Sequence, residues 1–159
     1  MIRQRITPFL WFDHQAEEAA RFYTSIFENS RIRNVVRYGD AGPGPRGTAM
    51  TVDFELEGQG FVALNGGPHF RFTEAISLVV NCATQQEVDY FWERLLEGGI
   101  PQQCGWLKDR FGLSWQVVPT ALNELASGPD AAKTGRVMQA MMKMVKLDIA
   151  ELRRAAESG

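Results

Sequence analysis

The sequence is poor in the residues that build covalently or metal-stapled scaffolds. Its two cysteines, Cys82 and Cys104, stand far apart and outside any CxxC spacing. Neither a disulfide framework nor a zinc knuckle is indicated, and a reducing, cytoplasmic location is expected. The two histidines, His14 and His69, fall in segments that read as loops, so neither has a strand partner at ligand spacing. Basic charge is not in excess: 17 Lys and Arg against 19 Asp and Glu leave a net charge of −2, with nothing to hold a phosphate backbone, and no nucleic-acid partner is expected. No apolar run approaches the ~18 residues of a membrane span. The opening "MIRQRITPFLWFD" sets basic residues before an apolar run, but Pro8 and Asp13 interrupt it and no small-residue cleavage site follows, so it reads as a first strand and not a leader.

What is present is an ordinary globular composition, 45% hydrophobic over 159 residues, enough for one compact domain spanning 1–159. From Arg3 to Phe12 both faces are apolar, which predicts a central strand covered on both sides. "QAEEAARFYTSIF" then places Ala19, Phe22, Tyr23, Ile26 and Phe27 at helical spacing, with Glu17 and Glu18 in the dipole-favoured first turn. Strand patterns follow over Arg31–Tyr38, Thr48–Leu56 and Phe61–Asn65, giving a βαβββ module over 1–67. In the middle one, Asp53, Glu55 and Glu57 alternate with Val52, Phe54 and Leu56 and read as a solvated row unless that face is the one that opens to a ligand.

The second half starts the same way. "AISLVVN" predicts a strand, and "TQQEVDYFWERLLEGG" opens with a Thr84/Glu87 capping box and closes on Gly98 and Gly99. Moved by 69 positions (88 − 19), the five core residues of the first helix fall on Val88, Phe91, Trp92, Leu95 and Leu96, and Leu10 falls on Val79. This is an internal repeat of pattern. Strands at Gln103–Lys108 and Leu113–Val118 complete a βαββ module over 75–119, with one strand shortened or hidden near Pro101. Residues 120–159 form a helical tail broken at Gly128 and Pro129, whose stripe Val137, Met141, Met144 and Val145, widened by Met138 and Met142, suits core packing or a second subunit.

With "DRFG" as a two-residue turn, the last hairpin pairs Lys108 with Leu113, Leu107 with Ser114, Trp106 with Trp115, Gly105 with Gln116 and Cys104 with Val117. The tryptophans then oppose each other, and Gly105, Ser114, Gln116 and Val118 make the mixed face. A one-residue slip would exchange the faces. Cys104 shares its strand face with Lys108, a weak condition for a reactive thiol, and Cys82 reads as a small buried hydrophobe.

The stretches "TPFLWFDHQAEEAARFYTSIF", "VALNGGPHFRFTEAISLVV" and "CGWLKDRFGLSWQVVP", with the paired modules, resemble the PhnB-like branch of the vicinal oxygen chelate superfamily, often labelled demethylubiquinone methyltransferase-like and related to glyoxalases and bleomycin-resistance proteins. His14 departs from the small residue more usual there. The resemblance implies an α+β fold whose paired βαβββ modules curl a mixed sheet into a cup, and a homodimer. In its metal-binding members a glutamate stands four residues after the turn glycine; here that place holds Gln116 after Gly112. Strands Arg3–Phe12, Phe61–Asn65 and Ile76–Asn81 offer no His, Asp or Glu, so no resident metal is expected. "YGDAGPGPRG" is not a nucleotide loop, because Pro43 and Pro45 remove amide donors and a strand follows it where a cofactor loop would lead into a helix; no cofactor is expected.

The site expected from these residues is a mainly apolar pocket with a few polar groups, Trp11, Asn65, Ser114 and Gln116, taking a small molecule. Two alternatives stand beside it. One is an enzyme of the superfamily, a metal-dependent lyase, dioxygenase or isomerase or the methyltransferase of the label. The other is a dimeric interaction module that uses the Met-rich tail.

Overall fold

The computed structural model describes residues 4–158. Internal packing divides the chain into two compact units, one ending at Phe72 and one beginning at Thr73. In unit 1, β1 (Phe9–Phe12), α1 (Ala16–Ile26), β2 (Arg31–Arg37), β3 (Ala49–Leu56) and β4 (Gln59–Asn65) build a four-stranded sheet of order β1-β4-β3-β2. β1 runs parallel to β4, and the other pairs are antiparallel. Helix α1 lies across β3 and β4, sealing Tyr23 and Ile26 over Val52, Phe54 and Ala63.

The first strand is therefore not central. It is four residues long at one end of the order, starting after Pro8, whose carbonyl accepts the first ladder bond from Val62 N (3.0 Å). Proline has no N–H to extend a ladder, so it is confined to strand starts and edges. Arg3, where the expected strand began, lies outside the described residues. Nor is the strand covered on both sides within its unit: Leu10 and Phe12 are buried, whereas Phe9 is 59% exposed and Trp11 half-buried.

Unit 2 repeats the plan with β5 (Ser77–Cys82), α2 (Gln85–Leu96), β6 (Ile100–Pro101), β7 (Trp106–Lys108) and β8 (Ser114–Pro119), in the order β5-β8-β7-β6. The strand hidden near Pro101 is β6, two residues long and paired to β7. The helix repeat keeps its phase, since Val88, Trp92 and Leu95 are buried as Ala19, Tyr23 and Ile26 are. The strand repeat does not. Leu10 is 8% exposed whereas Val79 is 48% exposed, and the residue facing the helix is Val80. The offset is 70 in the strand and 69 in the helix because unit 2 has one linking residue fewer before its helix, two against three. The start of each helix is correspondingly held in a different way. Thr84 accepts from Glu87 N (3.1 Å) while Glu87 reaches back to Ala83 N (2.7 Å), a capping box within the segment. Gln15 makes no side-chain cap for α1, and Ala16 N donates instead to Asn65 Oδ1 (2.8 Å) from the end of β4.

The tail adds α3 (Thr120–Leu125), α4 (Ala131–Met142) and α5 (Ile149–Glu157) to unit 2. The helix predicted to run on from Ala131 stops at Met142, and Asp148 starts a new one by accepting from Glu151 N (3.0 Å). The break frees two carbonyls: Met144 O accepts from Cys104 N (2.9 Å) and Val145 O from Gly105 N (2.8 Å). Val137, Met144, Leu147 and Leu152 then close a core with Leu122 against Val118 of β8, and Gln85 at the start of α2 clips Leu147 O and Ile149 N. Met138, Met142 and Val145 stay exposed, so the stripe is split between core and surface. Among the described residues, no helix is long and apolar enough to cross a membrane.

Candidate functional site

Each sheet packs one face on its helix and leaves the other unpacked by it. In unit 1 the strand register brings Trp11 beside Leu64 and Thr51, Phe9 beside Val62 and Asp53, and Gly60 beside Glu55 and Arg31, all on the face away from α1. Trp11 is half-buried there. Its indole Nε1 donates to Gly67 O (2.9 Å), and its ring meets Phe70 edge-on at 4.8 Å and 81°. Gly66 is glycine for room, because a Cβ would run into the indole, and Gly67 for its φ of 91°. The row of acids is thus not plainly solvated: Asp53 and Glu55 are half-buried, and Glu55 is held by Arg31 (3.4 Å) and Arg33 (3.3 Å).

Asn65 lies on the opposite face from Trp11, pairing in register with buried Phe12. Its Oδ1 is taken by Ala16 N, its Nδ2 donates to Ala49 O (3.0 Å), and its backbone carbonyl accepts from Tyr38 Oη (2.6 Å). That amide fastens helix, strand and loop together.

In unit 2 the hairpin register differs by one residue from the two-residue turn. Trp106 pairs with Gln116, Leu107 with Trp115 and Lys108 with Ser114. The loop is three residues, closed by Asp109 N to Leu113 O (2.9 Å) and Gly112 N to Asp109 O (2.9 Å), with Gly112 at φ 89°. A left-handed glycine ending a three-residue loop adds one residue and slips every pair by one. The tryptophans therefore part. Trp115 goes into the core with Leu107 and Val117, and Trp106 joins Lys108, Ser114 and Gln116 on the face away from α2. Ser114 and Gln116 do share that face, next to Ser77 and Val79 of β5. Gln116 Nε2 donates to Ser77 Oγ (2.9 Å), and Ser114 Oγ is buried with no hydrogen-bond partner among the described residues. Lys108 is ion-paired with Glu74, and its ammonium holds the Glu74 carboxyl below the usual carboxylate range.

The residue that sequence reasoning passed over is Asp109. It is 3% exposed and accepts from Phe111 N (2.8 Å), Leu113 N (3.1 Å) and Trp115 Nε1 (2.8 Å). An aspartate opening a turn that ends on glycine was the available signal, since Asp side chains bond backbone amides two residues on.

His14 is exposed beside Asp13 (3.6 Å), and among the described residues no group of three or more His, Cys, Asp or Glu side chains converges as a metal cage would. Cys104 is not on a strand with Lys108; it sits in a turn at φ 62° before Gly105. Residues 38–48 connect β2 to β3 and lead into no helix. Burial, reinforced by Glu87, pushes the Cys82 thiol up to about 11. At about pH 8 its thiolate fraction is on the order of a thousandth. Iodoacetamide is accordingly expected to modify half-buried Cys104 first and Cys82 only as the protein unfolds. Equal rates by peptide mass mapping would show that the Cys82 site opens readily.

Two βαβββ units, each with a mixed four-stranded sheet, define the vicinal oxygen chelate class of fold. Within it the chain belongs to the 3-demethylubiquinone-9 3-methyltransferase family, whose profile matches residues 4–118. A PhnB protein from Bacillus cereus, provisionally described as a 3-demethylubiquinone-9 3-methyltransferase, is 39% identical over 73% of this chain and 99% of its own, with a TM-score of 0.68. Protein PA1353 from Pseudomonas aeruginosa is 21% identical over 73% of this chain and 97% of its own, with a TM-score of 0.62. The fosfomycin resistance protein FosX of Listeria monocytogenes, solved with Mn(II) and sulfate, shares the fold at 15% identity and a TM-score of 0.50, covering 75% of this chain and 91% of its own. No curated protein matches the chain.

Proposed function

We propose that this chain binds a small, partly aromatic or amphipathic organic molecule and does so without a resident metal. The observation that carries the reading is Trp11: a half-buried indole, locked by Gly67 O and Phe70, stands on a sheet face that no helix of its unit covers, beside Val62 and Leu64. A rigid aromatic flanked by apolar side chains, with polar groups placed beyond them to fix orientation, is how small-molecule sites are built. Within unit 1, Asn65 contributes by positioning α1; on unit 2's own sheet, Ser114 and Gln116 are neutral hydrogen-bonding groups on the face away from α2.

A metal is a poor fit to these residues. β1 carries Phe9 to Phe12 and no ligand, and the Gln116 amide is tied to Ser77. A divalent ion needs several converging donors, of which a single neutral amide supplies one. The methyltransferase named in the family description receives no support from residues 38–48, which join two strands. The reading also includes a homodimer in a reducing compartment: both thiols are unpaired, and Ile76 is an exposed apolar side chain for a second copy to cover.

A thermal-shift screen against metabolites, metals and antibiotics tests this. A compound at a hundred times its dissociation constant stabilises by about 2.7 kcal/mol, a readable rise in midpoint. The rise is expected in the native protein and absent in Trp11→Ala. A rise that survives both Trp11→Ala and Gln116→Ala places the ligand elsewhere. Stoichiometric metal in a native mass spectrum after chelator dialysis would move the protein to the metal-dependent enzymes of its class, and a flat screen with a co-purifying partner lost on deleting 134–159 would make it an interaction module.

A further inference from the structure

Beyond the Trp11 end, the same face of unit 1 holds a cavity of about 880 Å³ lined by Arg31, Arg33, Thr51, Asp53, Glu55 and Val62, among others. Its charges are unevenly satisfied. One oxygen of Glu55, Oε1, meets both guanidinium groups, Arg31 Nη2 at 3.4 Å and Arg33 Nε at 3.3 Å. A β-bulge brings this about: Ile32 pairs with Phe54 and Asn34 with Asp53, so Arg33 is an extra residue turned onto the carboxylate that already faces Arg31. Two cations on one anion leave one positive charge over. The Arg31 side chain is 66% exposed and reaches Glu55 through a single nitrogen, so the rest of its planar fork is available to a carboxylate.

Asp53 is the opposite case. It is the next residue along this face of β3, about 7 Å from Glu55 by strand geometry, and it is half-buried. Among the described residues it has no hydrogen-bond or ionic partner. A half-buried carboxylate without a partner favours a cation. Among the described residues the cavity thus sets a guanidinium pair beside an unpartnered carboxylate, and there Arg31 and Arg33 balance Asp53 and Glu55 in charge. A simple anion would be repelled by Asp53, and a bare metal ion by the arginines. A molecule that carries both charges close together satisfies both. Val62, paired with Asp53, leads from this head region to Phe9 on the same row and to Leu64 and Trp11 on the next.

We propose that the unit 1 cavity takes a zwitterionic amino carboxylate, its carboxylate on Arg31 and Arg33, its ammonium on Asp53, and its apolar side chain along Val62 toward Trp11. This deepens the reading of the Trp11 face as a ligand site and rests on it.

The test is an amide and indole NMR titration of the full-length protein with three probes of one shape: L-phenylalanine, 3-phenylpropionate, which lacks the ammonium, and 2-phenylethylamine, which lacks the carboxylate. Phenylalanine is expected to shift the Trp11 indole resonance and the amides of Arg31 and Asp53, and to bind at least about tenfold more tightly than either analogue, the worth of one partly buried charge-assisted contact. In Asp53→Asn its advantage over 3-phenylpropionate should vanish, and in Arg31→Gln its advantage over 2-phenylethylamine should shrink. Equal affinities of the three probes at the Trp11 face would overturn the head-group assignment and leave the ligand site standing. Failure of all three, with another compound of the thermal-shift screen still shifting Trp11, also overturns it. If no compound perturbs Trp11, both readings fall. The comparison of probes on the native protein needs no variant to fold.

Discussion

Asp109→Ala is expected to lower the stability of the protein by about 3–5 kcal/mol, the range found when one partner of a buried charged network is removed. The native carboxylate accepts two backbone N–H groups of its own loop and the Trp115 indole N–H, all within 3.1 Å, at a position only 3% exposed. Alanine leaves those donors facing a void. It also releases the three-residue loop that sets the β7–β8 register, so Trp115 and Gln116 lose the restraint that sorts them onto opposite faces. Asp109→Asn should cost less than alanine. One amide oxygen can keep the backbone bonds, but an amide N–H₂ then meets the indole N–H donor to donor. Urea denaturation of the three proteins, with unchanged slope, reads the order directly. A loss below about 1 kcal/mol for alanine would mean that water replaces the carboxylate at little cost.

Gly105→Ala should cost about 2–4 kcal/mol, through two separable effects. Its φ is 81°, where an L side chain is strained, and a Cβ there would stand 3.0 Å from Leu147 Cγ and Cδ1 and from Val117 O. Leu147 is fully buried in the core that joins the tail to β8, so it has little room to give. Gly112→Ala is the control: its φ is 89°, yet nothing lies within 4 Å of the added methyl group. It should cost only the backbone strain, about 1 kcal/mol. The excess of Gly105→Ala over Gly112→Ala measures how tightly the tail is seated. Hydrogen exchange should locate that excess at Cys104 N and Gly105 N, which donate to Met144 O and Val145 O. Equal costs at the two glycines would show that the Leu147 contact yields.

The helices illustrate what local pattern can carry. The capping box of Thr84 and Glu87 and the centres of the buried stripes, Ala19, Tyr23 and Ile26 in α1 and Val88, Trp92 and Leu95 in α2, need only residues within one or two turns of one another and were legible, whereas Phe22, Phe27, Phe91 and Leu96 at the stripe edges are only half-buried. The cap on α1 was not, because its acceptor, Asn65, lies 49 positions away and reads locally as nothing more than the end of a strand. The pairing of Arg33 with Glu55 was hidden for a similar reason. It depends on a bulge in β2, and a bulge shows itself only when the partner strand is in place.

By itself the sequence determined the main helices and strands of both modules and their order, because periodicity, caps and turn residues are short-range and survive without neighbours, while the family came from the resemblance of three stretches and the two-residue strand β6 was left hidden. Only the tertiary structure decided which side chains share a face. A single left-handed residue, Gly112, moved Trp106 to the side of Gln116, one linking residue fewer before α2 turned Val79 outward, and the bulge at Arg33 set two guanidinium groups near Asp53, which has no partner among the described residues. Strand faces alternate with a period of two, so one residue gained or lost at a turn reverses every assignment beyond it, and that residue is counted only when the chain closes on its partner.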